Sequence, residues 1–258
     1  MHHAFIDKFA HLKSPLHSLD PRAKIISFFF LVVMVVLTAP GDYIVFSLFF
    51  MLILSAVMMS KIPLLYVFRH SLVVVPFAAV VALSLLFVKD GEAIWSLSIG
   101  PLLLLVTREG LQLFLSVLLK SWLSVLAMLT LVSTTRFPVL LKGLEWLRVP
   151  SLILMVISFM YRYIFLLTDE LMRIKAARDS RGQPAGLLEN FKSSGCVVGS
   201  LFVRSYERAE KAYLAMCSRG FDGQIRTIYD YKAGIMDIVF VLFFCSSAFA
   251  IMVFGWVA

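Results

Sequence analysis

Residues 151–182 read SLILMVISFMYRYIFLLTDELMRIKAARDSRG, and the placement of this stretch decides the fold. Its first half, 151–168, is long and apolar enough for a membrane span. Arg162 lies in the middle of it, however, and a guanidinium at the bilayer centre costs about 2.5–3.5 kcal/mol on insertion scales. At 100° per residue, Ser158, Arg162, Asp169 and Arg173 fall within a sector of about 60°, so one polar stripe continues past the apolar part. The stretch therefore reads as a single long helix lying in or against the cytoplasmic interface and ending at the Gly182 break. A span here would also export the most basic segment of the chain.

The rest of the chain has the composition of a membrane protein. Of 258 residues, 60% are apolar and 16% charged, and mean hydropathy is +0.91. Soluble domains run nearer to about 45–50% apolar and 25% charged. The apolar residues are gathered in runs of about 17 to 24, the length a helix needs to cross a hydrocarbon core. The net charge of +8 does not point to nucleic acid, because 15 of the 24 Lys and Arg lie between positions 136 and 232. Basic residues collected in one non-spanning region mark a cytoplasmic face, with anionic lipid or a cytosolic protein as the neighbour. The expected class is an all-α integral membrane protein with about five spans and a cytoplasmic domain of amphipathic helices.

Residues 1–24 are polar and read as cytoplasmic, with Asp20-Pro21-Arg22 as a helix start. No cleavable signal is expected, so the first apolar run stays as an anchor. Spans are predicted at 25–39, 43–59, 71–88 and 111–132, which together make a membrane region over 25–132. The connection at 60–70, with Lys61 and Arg69 flanking Pro63, is placed in the cytoplasm. The connection at 89–110 is placed outside, with Trp95 as an interfacial aromatic and 101–106 too short to cross. A last span at 233–257, within a segment 233–258, leaves the N-terminus inside and the C-terminus outside.

Residues 133–232 form the predicted cytoplasmic domain. Ser133-Thr134-Thr135 offers N-cap residues and Pro138 suits a first helical turn. Phe137, Leu140, Leu141, Leu144 and Leu147 share one face of a short amphipathic helix that ends near Pro150. A second long helix spans 187–219. On it Phe202, Tyr206, Ala209, Tyr213 and Met216 repeat at spacings of 4, 3, 4 and 3 and are expected to form a packing seam. The two long helices end alike. Ala177-Arg178-Asp179-Ser180-Arg181-Gly182 and Ala215-Met216-Cys217-Ser218-Arg219-Gly220 both read A-x-x-S-R-G. Glycine takes the left-handed conformation that ends a helix, and a cation beside the C-terminus is favoured by the dipole. An arginine fork at a helix tip also suits a carboxylate-lined groove on another protein.

With these pieces in place the chain resembles the transmembrane T component of energy-coupling factor (ECF) transporters, of the CbiQ type associated with cobalt uptake. The similarity lies in residues 14–24 (SPLHSLDPRAK), 144–150 (LEWLRVP) and the paired arginine-glycine tips, and it covers essentially the whole chain in order. It implies a non-catalytic subunit of a bacterial or archaeal cell membrane that joins two ABC ATPases (CbiO-like) to a substrate-binding membrane subunit (CbiM-like), with a small accessory subunit (CbiN-like) as a further partner. In that family the coupling helices end in an Ala-Arg-Gly-like motif whose arginine docks on each ATPase. Carried over, Arg181-Gly182 and Arg219-Gly220 take this role, with Ser180 and Ser218 standing where the family has alanine next to the arginine. The implied cargo is cobalt, with nickel or a vitamin as alternatives, and ATP is used by the partner subunits while this chain binds no cofactor.

Other chemistry finds little support in the residues. There is no G-x-x-x-x-G-K-[ST], H-E-x-x-H or G-x-S-x-G sequence, so neither a Walker loop nor a membrane hydrolase is indicated. A polytopic membrane enzyme would need clustered polar residues at the span ends, and no convincing set is present. His2, His3, His11 and His17 cluster in sequence without metal-ligand spacing, and no metal site is expected. Cys196, Cys217 and Cys245 read as inert packing thiols. Asp237 reads as interfacial, near the start of the last span.

Overall fold

The computed structural model describes residues 14–88, 93–99, 102–182, 186–221 and 234–257. His2, His3 and His11 lie outside them. The chain divides into two compact units, one within 4–143 and 231–258, the other within 144–230.

The first unit begins with a short helix, α1 (Pro15–Ser18), and then α2 (Pro21–Leu37). The start of α2 is set locally. Asp20 accepts a hydrogen bond from the Arg22 amide at 2.9 Å and Pro21 opens the first turn. The tight turn after it leads into α3 (Tyr43–Ser60), which Lys61 ends in a left-handed conformation with φ 58°. Helix α4 (Leu64–Ser71) then runs through a 3-10 turn at Leu72–Val74 into α5 (Val75–Val88). The predicted connection at 60–70 is thus largely helical, and the third span begins seven residues early, at Leu64. The tightened turn sits just ahead of Pro76, whose missing N–H breaks the regular ladder at that point.

Between α5 and α6 lie two antiparallel strands, β1 (Ala93–Ile99) and β2 (Leu102–Thr107), in whose register Ile99 pairs with Leu102 and Leu97 with Leu104. The alternation Trp95, Leu97, Ile99 with Ser96 and Ser98 between them carries this period of two in the sequence. Thr107 then caps α6 (Arg108–Thr134) by accepting from the Gly110 amide at 3.2 Å. Ser133 and Thr134 belong to this helix and do not cap the next one. Helix α7 (Phe137–Trp146) starts from Arg136, whose carbonyl accepts from Val139 and Leu140. Helix α10 (Ile235–Val257) completes the unit.

The core of this unit is a layer of large side chains from four helices. Phe28, Leu31 and Val35 of α2 meet Phe49, Ile53 and Val57 of α3, Leu123, Leu126 and Ala127 of α6, and Phe244 and Ala248 of α10. Phe28 and Phe244 lie with ring centroids 5.5 Å apart. On α6, Trp122 stacks on Phe50 at 5.5 Å and donates to the Ser71 hydroxyl at 3.0 Å, which ties α3, α4 and α6 together. Helices α3 and α10 approach closely at Gly255, where an added Cβ would come within 2.6 Å of Val45. Small residues at a helix crossing allow such approach where no water drives association.

Two lysines brace the antiparallel pair α2 and α6 at opposite ends. Lys24, in the first turn of α2 and 2% exposed, donates to the carbonyl of Thr134 in the last turn of α6 and to that of His17, both at 3.3 Å. Lys120 of α6 donates to the carbonyl of Val36, in the last turn of α2, at 2.9 Å. Each ammonium thus meets the carbonyl end of its neighbour, where the helix dipole favours a cation. Asp20 and Asp237 supply the counter-charges around Lys24. Asp237 also accepts from the amides of Asp20 at 2.8 Å and Gly234 at 2.7 Å, which fixes the start of α10 against the start of α2.

The second unit contains α8 (Ser151–Asp179) and α9 (Leu187–Cys217). Among the described residues, five helical stretches are long and apolar enough to cross a membrane: Tyr43–Ser60, Leu64–Ser84, Arg108–Thr134, Ser151–Asp179 and Ile235–Trp256. Helix α2 adds an apolar helix of 17 residues. The stretch 151–179 thus meets the requirement of length and composition, and Arg162, exposed on its surface, is what sets it apart.

Replacing Lys24 by Met leaves Asp20 and Asp237 without their cation, so Lys24→Met is expected to cost about 3–5 kcal/mol, as for other broken buried pairs. Lys120→Met removes one charge-assisted hydrogen bond, about 1.5–3 kcal/mol. Thermal midpoints of the purified chain in one detergent should fall in the order wild type, Lys120→Met, Lys24→Met. Unchanged midpoints would show that the lysines do not brace the helix pair.

Candidate functional site

The two candidate tips close their helices in the same way. At the end of α8, the Ser180 amide donates to Ala176 O at 3.0 Å, Arg181 to Arg178 O at 3.0 Å and Gly182 to Asp179 O at 3.4 Å. At the end of α9, Ser218 donates to Leu214 O, Arg219 to Met216 O and Gly220 to Cys217 O, each at 3.0 Å, and Phe221 reaches back to Met216 O at 3.1 Å. The last two bonds complete a Schellman motif with Arg219 at the C-cap. Gly182 and Gly220 have φ of 103° and 74°, in the left-handed region. An added Cβ would meet no atom within 4 Å at either position, so the requirement for glycine is conformational and not steric.

The serines have a local purpose that the sequence pattern did not reveal. The Ser180 hydroxyl donates to Ala176 O and the Ser218 hydroxyl to Leu214 O, both at 2.9 Å. Each thus adds a second, side-chain donor to a carbonyl that already accepts the serine's own amide four residues on. Small residues at these positions let the arginine side chains project at the helix ends, and Arg181 and Arg219 are both exposed. Neither has an ion-pair partner among the described residues. The neighbouring Arg178 differs, because its guanidinium is taken up by Asp179 at 3.1 Å and by Ser194 of α9 at 3.5 Å.

Helices α8 and α9 are joined by that contact and by an ion pair between Glu170 and Arg204. The face that α9 half-buries is Ser193, Val197, Leu201, Ser205, Arg208, Ala212 and Met216. Of the predicted seam only Met216 belongs to it. Phe202, Tyr206 and Tyr213 are 70%, 66% and 60% exposed, and Ala209 is exposed with them. The reading from periodicity took the largest apolar residues as the inner face, whereas polar contacts from Arg178 and Glu170 set the rotation of α9 about one residue away. The aromatic stripe therefore stands outward. Beside it, hydrogen bonding to the Cys217 thiol raises the Tyr213 hydroxyl above its ordinary range. Cys196 and Cys217 are exposed and only Cys245 is partly packed, so two of the three thiols are not the packing residues expected.

Helix α8 is similarly open. Leu154 is its one buried residue among those described, while Leu152, Val156 and Met160 are 65%, 58% and 57% exposed. Apolar surface of this extent is the mark of a lipid or partner interface. At the N-terminal end, the Ser14 hydroxyl caps α1 by accepting from the His17 amide at 3.4 Å, and His17 Nδ1 lies 2.7 Å from the same hydroxyl.

Known proteins share this sequence along most of its length. The profile of the cobalt transport protein family CbiQ matches residues 12–229. An uncharacterized protein of Methanocaldococcus jannaschii is 30% identical over 93% of this chain and 82% of its own. The energy-coupling factor transporter transmembrane protein EcfT of Limosilactobacillus fermentum is 30% identical over 92% of this chain and 94% of its own. A putative fused cobalt transport protein CbiMQ of Methanocorpusculum labreanum is 28% identical over 82% of this chain and 36% of its own length. The apolar helices, the order of elements and these matches agree, and the chain belongs to the CbiQ cobalt transport protein family, as a multi-pass transmembrane component of the energy-coupling factor type.

Proposed function

We propose that this chain is the coupling subunit of an ATP-driven importer. Two cytosolic ABC ATPases dock on the tips of α8 and α9, and a separate membrane subunit binds the cargo. The observation that carries this reading is the pair of matching tips, in which the same backbone turn presents an exposed arginine twice, 38 residues apart (219 − 181). Two equal docking points suit two equal partners. A guanidinium at a rigid helix end can enter a carboxylate-lined groove with both forks engaged, and the helix behind it transmits the displacement. The chain itself contributes no catalytic group and no cofactor, and ATP is hydrolysed by the partners.

Residues 133–232 lie in the cytoplasm on this reading, with the N-terminus on the same side, and the exposed apolar surface of α8 rests against lipid or the cargo-binding subunit. Cobalt is the proposed cargo, supported by the family description and by the printed name of the fused relative. Nickel is the nearest alternative.

Removing one partner of a buried interfacial charge pair costs about 2–5 kcal/mol, so Arg181→Ala and Arg219→Ala should each weaken ATPase association about thirtyfold or more. Both variants should insert normally. Copurification with tagged ATPases and radiocobalt uptake measure the effect, and wild-type values for both variants would refute the docking role. Gly220→Val should behave like Arg219→Ala, since it strains the turn that aims the arginine.

The topology has its own test. A membrane-impermeant maleimide should modify Cys196 and Cys217 in inside-out vesicles and leave them unmodified in right-side-out vesicles. The reverse pattern would place α9 outside.

A further inference from the structure

A cleft of about 600 Å³ lies between the C-terminal half of α8 and the N-terminal half of α9. Four guanidinium groups line it, Arg173, Arg178 and Arg181 from α8 and Arg204 from α9, against one carboxylate, Glu170. Two of the four are already matched, because Arg204 pairs with Glu170 and Arg178 with Asp179. Arg173 and Arg181 have neither hydrogen bond nor ion pair among the described residues. Ser193 also lines the cleft, and its hydroxyl makes no hydrogen bond among those residues. Ile174, Ala177 and Val197 form an apolar part of the wall.

We propose that this cleft binds the phosphate-bearing headgroup of an anionic membrane lipid, held by Arg173 and Arg181 with Ser193 as a third donor. Three features favour this occupant. The surplus of two cations calls for an anion, and guanidinium forks match phosphate oxygens. Arg173 and Arg181 are eight residues apart, about 12 Å along the axis, so they embrace a group larger than one small ion. The cleft also begins where the exposed apolar surface of α8, which runs from Leu152 to Met172, meets charge at Glu170 and Arg173. A lipid headgroup meets that boundary with its phosphate on the polar side and its chains on the other. Soluble phosphate shares the chemistry and would use the same donors. Because Arg181 is also the proposed docking residue of α8, a bound headgroup holds it toward the cleft and competes with the ATPase for it. The inference rests on the cytoplasmic placement of α8 and α9, whose failure the vesicle labelling would show separately.

Cys196 lines the cleft whereas Cys217 lies on the same helix outside it, which provides a footprint. The full-length chain in detergent is supplemented with phosphatidylglycerol, phosphatidylcholine or inorganic phosphate, and maleimide rates are compared at the two cysteines. Phosphatidylglycerol should slow Cys196 about tenfold, the scale of one or two charge-assisted hydrogen bonds, and leave Cys217 unchanged. Arg173→Gln should abolish the protection while ATPase copurification is retained, and Lys192→Gln, which removes a cation of α9 outside the cleft, should preserve it. Protection by inorganic phosphate without phosphatidylglycerol would assign the same site to soluble phosphate. Equal protection by both lipids, or protection that survives Arg173→Gln, would overturn the proposal.

Discussion

Two ammonium groups hold the membrane unit in register. Lys24 and Lys120 sit at opposite ends of an antiparallel helix pair, and each donates to a carbonyl in the last turn of the other helix. In hydrocarbon an unpaired carbonyl has no water to turn to, so the last turn of a spanning helix is a weak point and a cation there is worth more than on a soluble surface. The same contacts fix the length over which α2 and α6 can overlap. Once they are aligned, Phe28, Leu31 and Val35 fall opposite Leu123, Leu126 and Ala127, and α3 and α10 close over the layer. Asp237 then links the start of α10 to the start of α2, so these two helices enter the bundle at one place.

The tips depend on a smaller device. In a helix ending in Ser-Arg-Gly the amides of the closing turn serve the last carbonyls, the serine hydroxyl adds a second donor to a carbonyl that already has one, and the arginine side chain takes no part in the turn. Its side chain stands exposed at both tips. The same logic separates Arg178 from Arg181, three residues apart. The first is spent on Asp179 and Ser194 and orients α9 against α8, while the second remains available. In the proposed coupling role, the first kind of arginine keeps the helix pair rigid and the second meets the partner that moves it.

Much of this was legible in advance, and the reason is locality. Apolar runs, the Asp20-Pro21 start, Pro138 at the first turn of α7 and the paired glycine ends are all decided within about five residues by backbone geometry and burial. The strand pair 93–99 and 102–107 is equally local, and the apolar run 101–106 masks the alternation at 95–99 that signals it. The early start of the third span at Leu64 was hidden by Arg69, which suggested a loop by charge although α4 carries it within a helix.

The sequence by its local pattern specified a helical membrane protein with two arginine-glycine helix ends, because hydrocarbon thickness and helix termination are constraints on short stretches, and its CbiQ membership was carried by resemblance in residues 14–24, 144–150 and the paired tips. What only the tertiary structure decided is which polar groups meet. Lys24 finds Thr134 at a separation of 110 residues, Lys120 finds Val36 across 84, and Asp237 finds Asp20 across 217. No periodicity encodes such distances. The rotation of α9 belongs with them, since its most apolar face predicted the seam of Phe202, Tyr206 and Tyr213, and polar contacts across to α8 turned that face outward. In a membrane, or beside a partner that covers it, an exposed aromatic stripe costs nothing, so burial alone could not have fixed which way the helix faced.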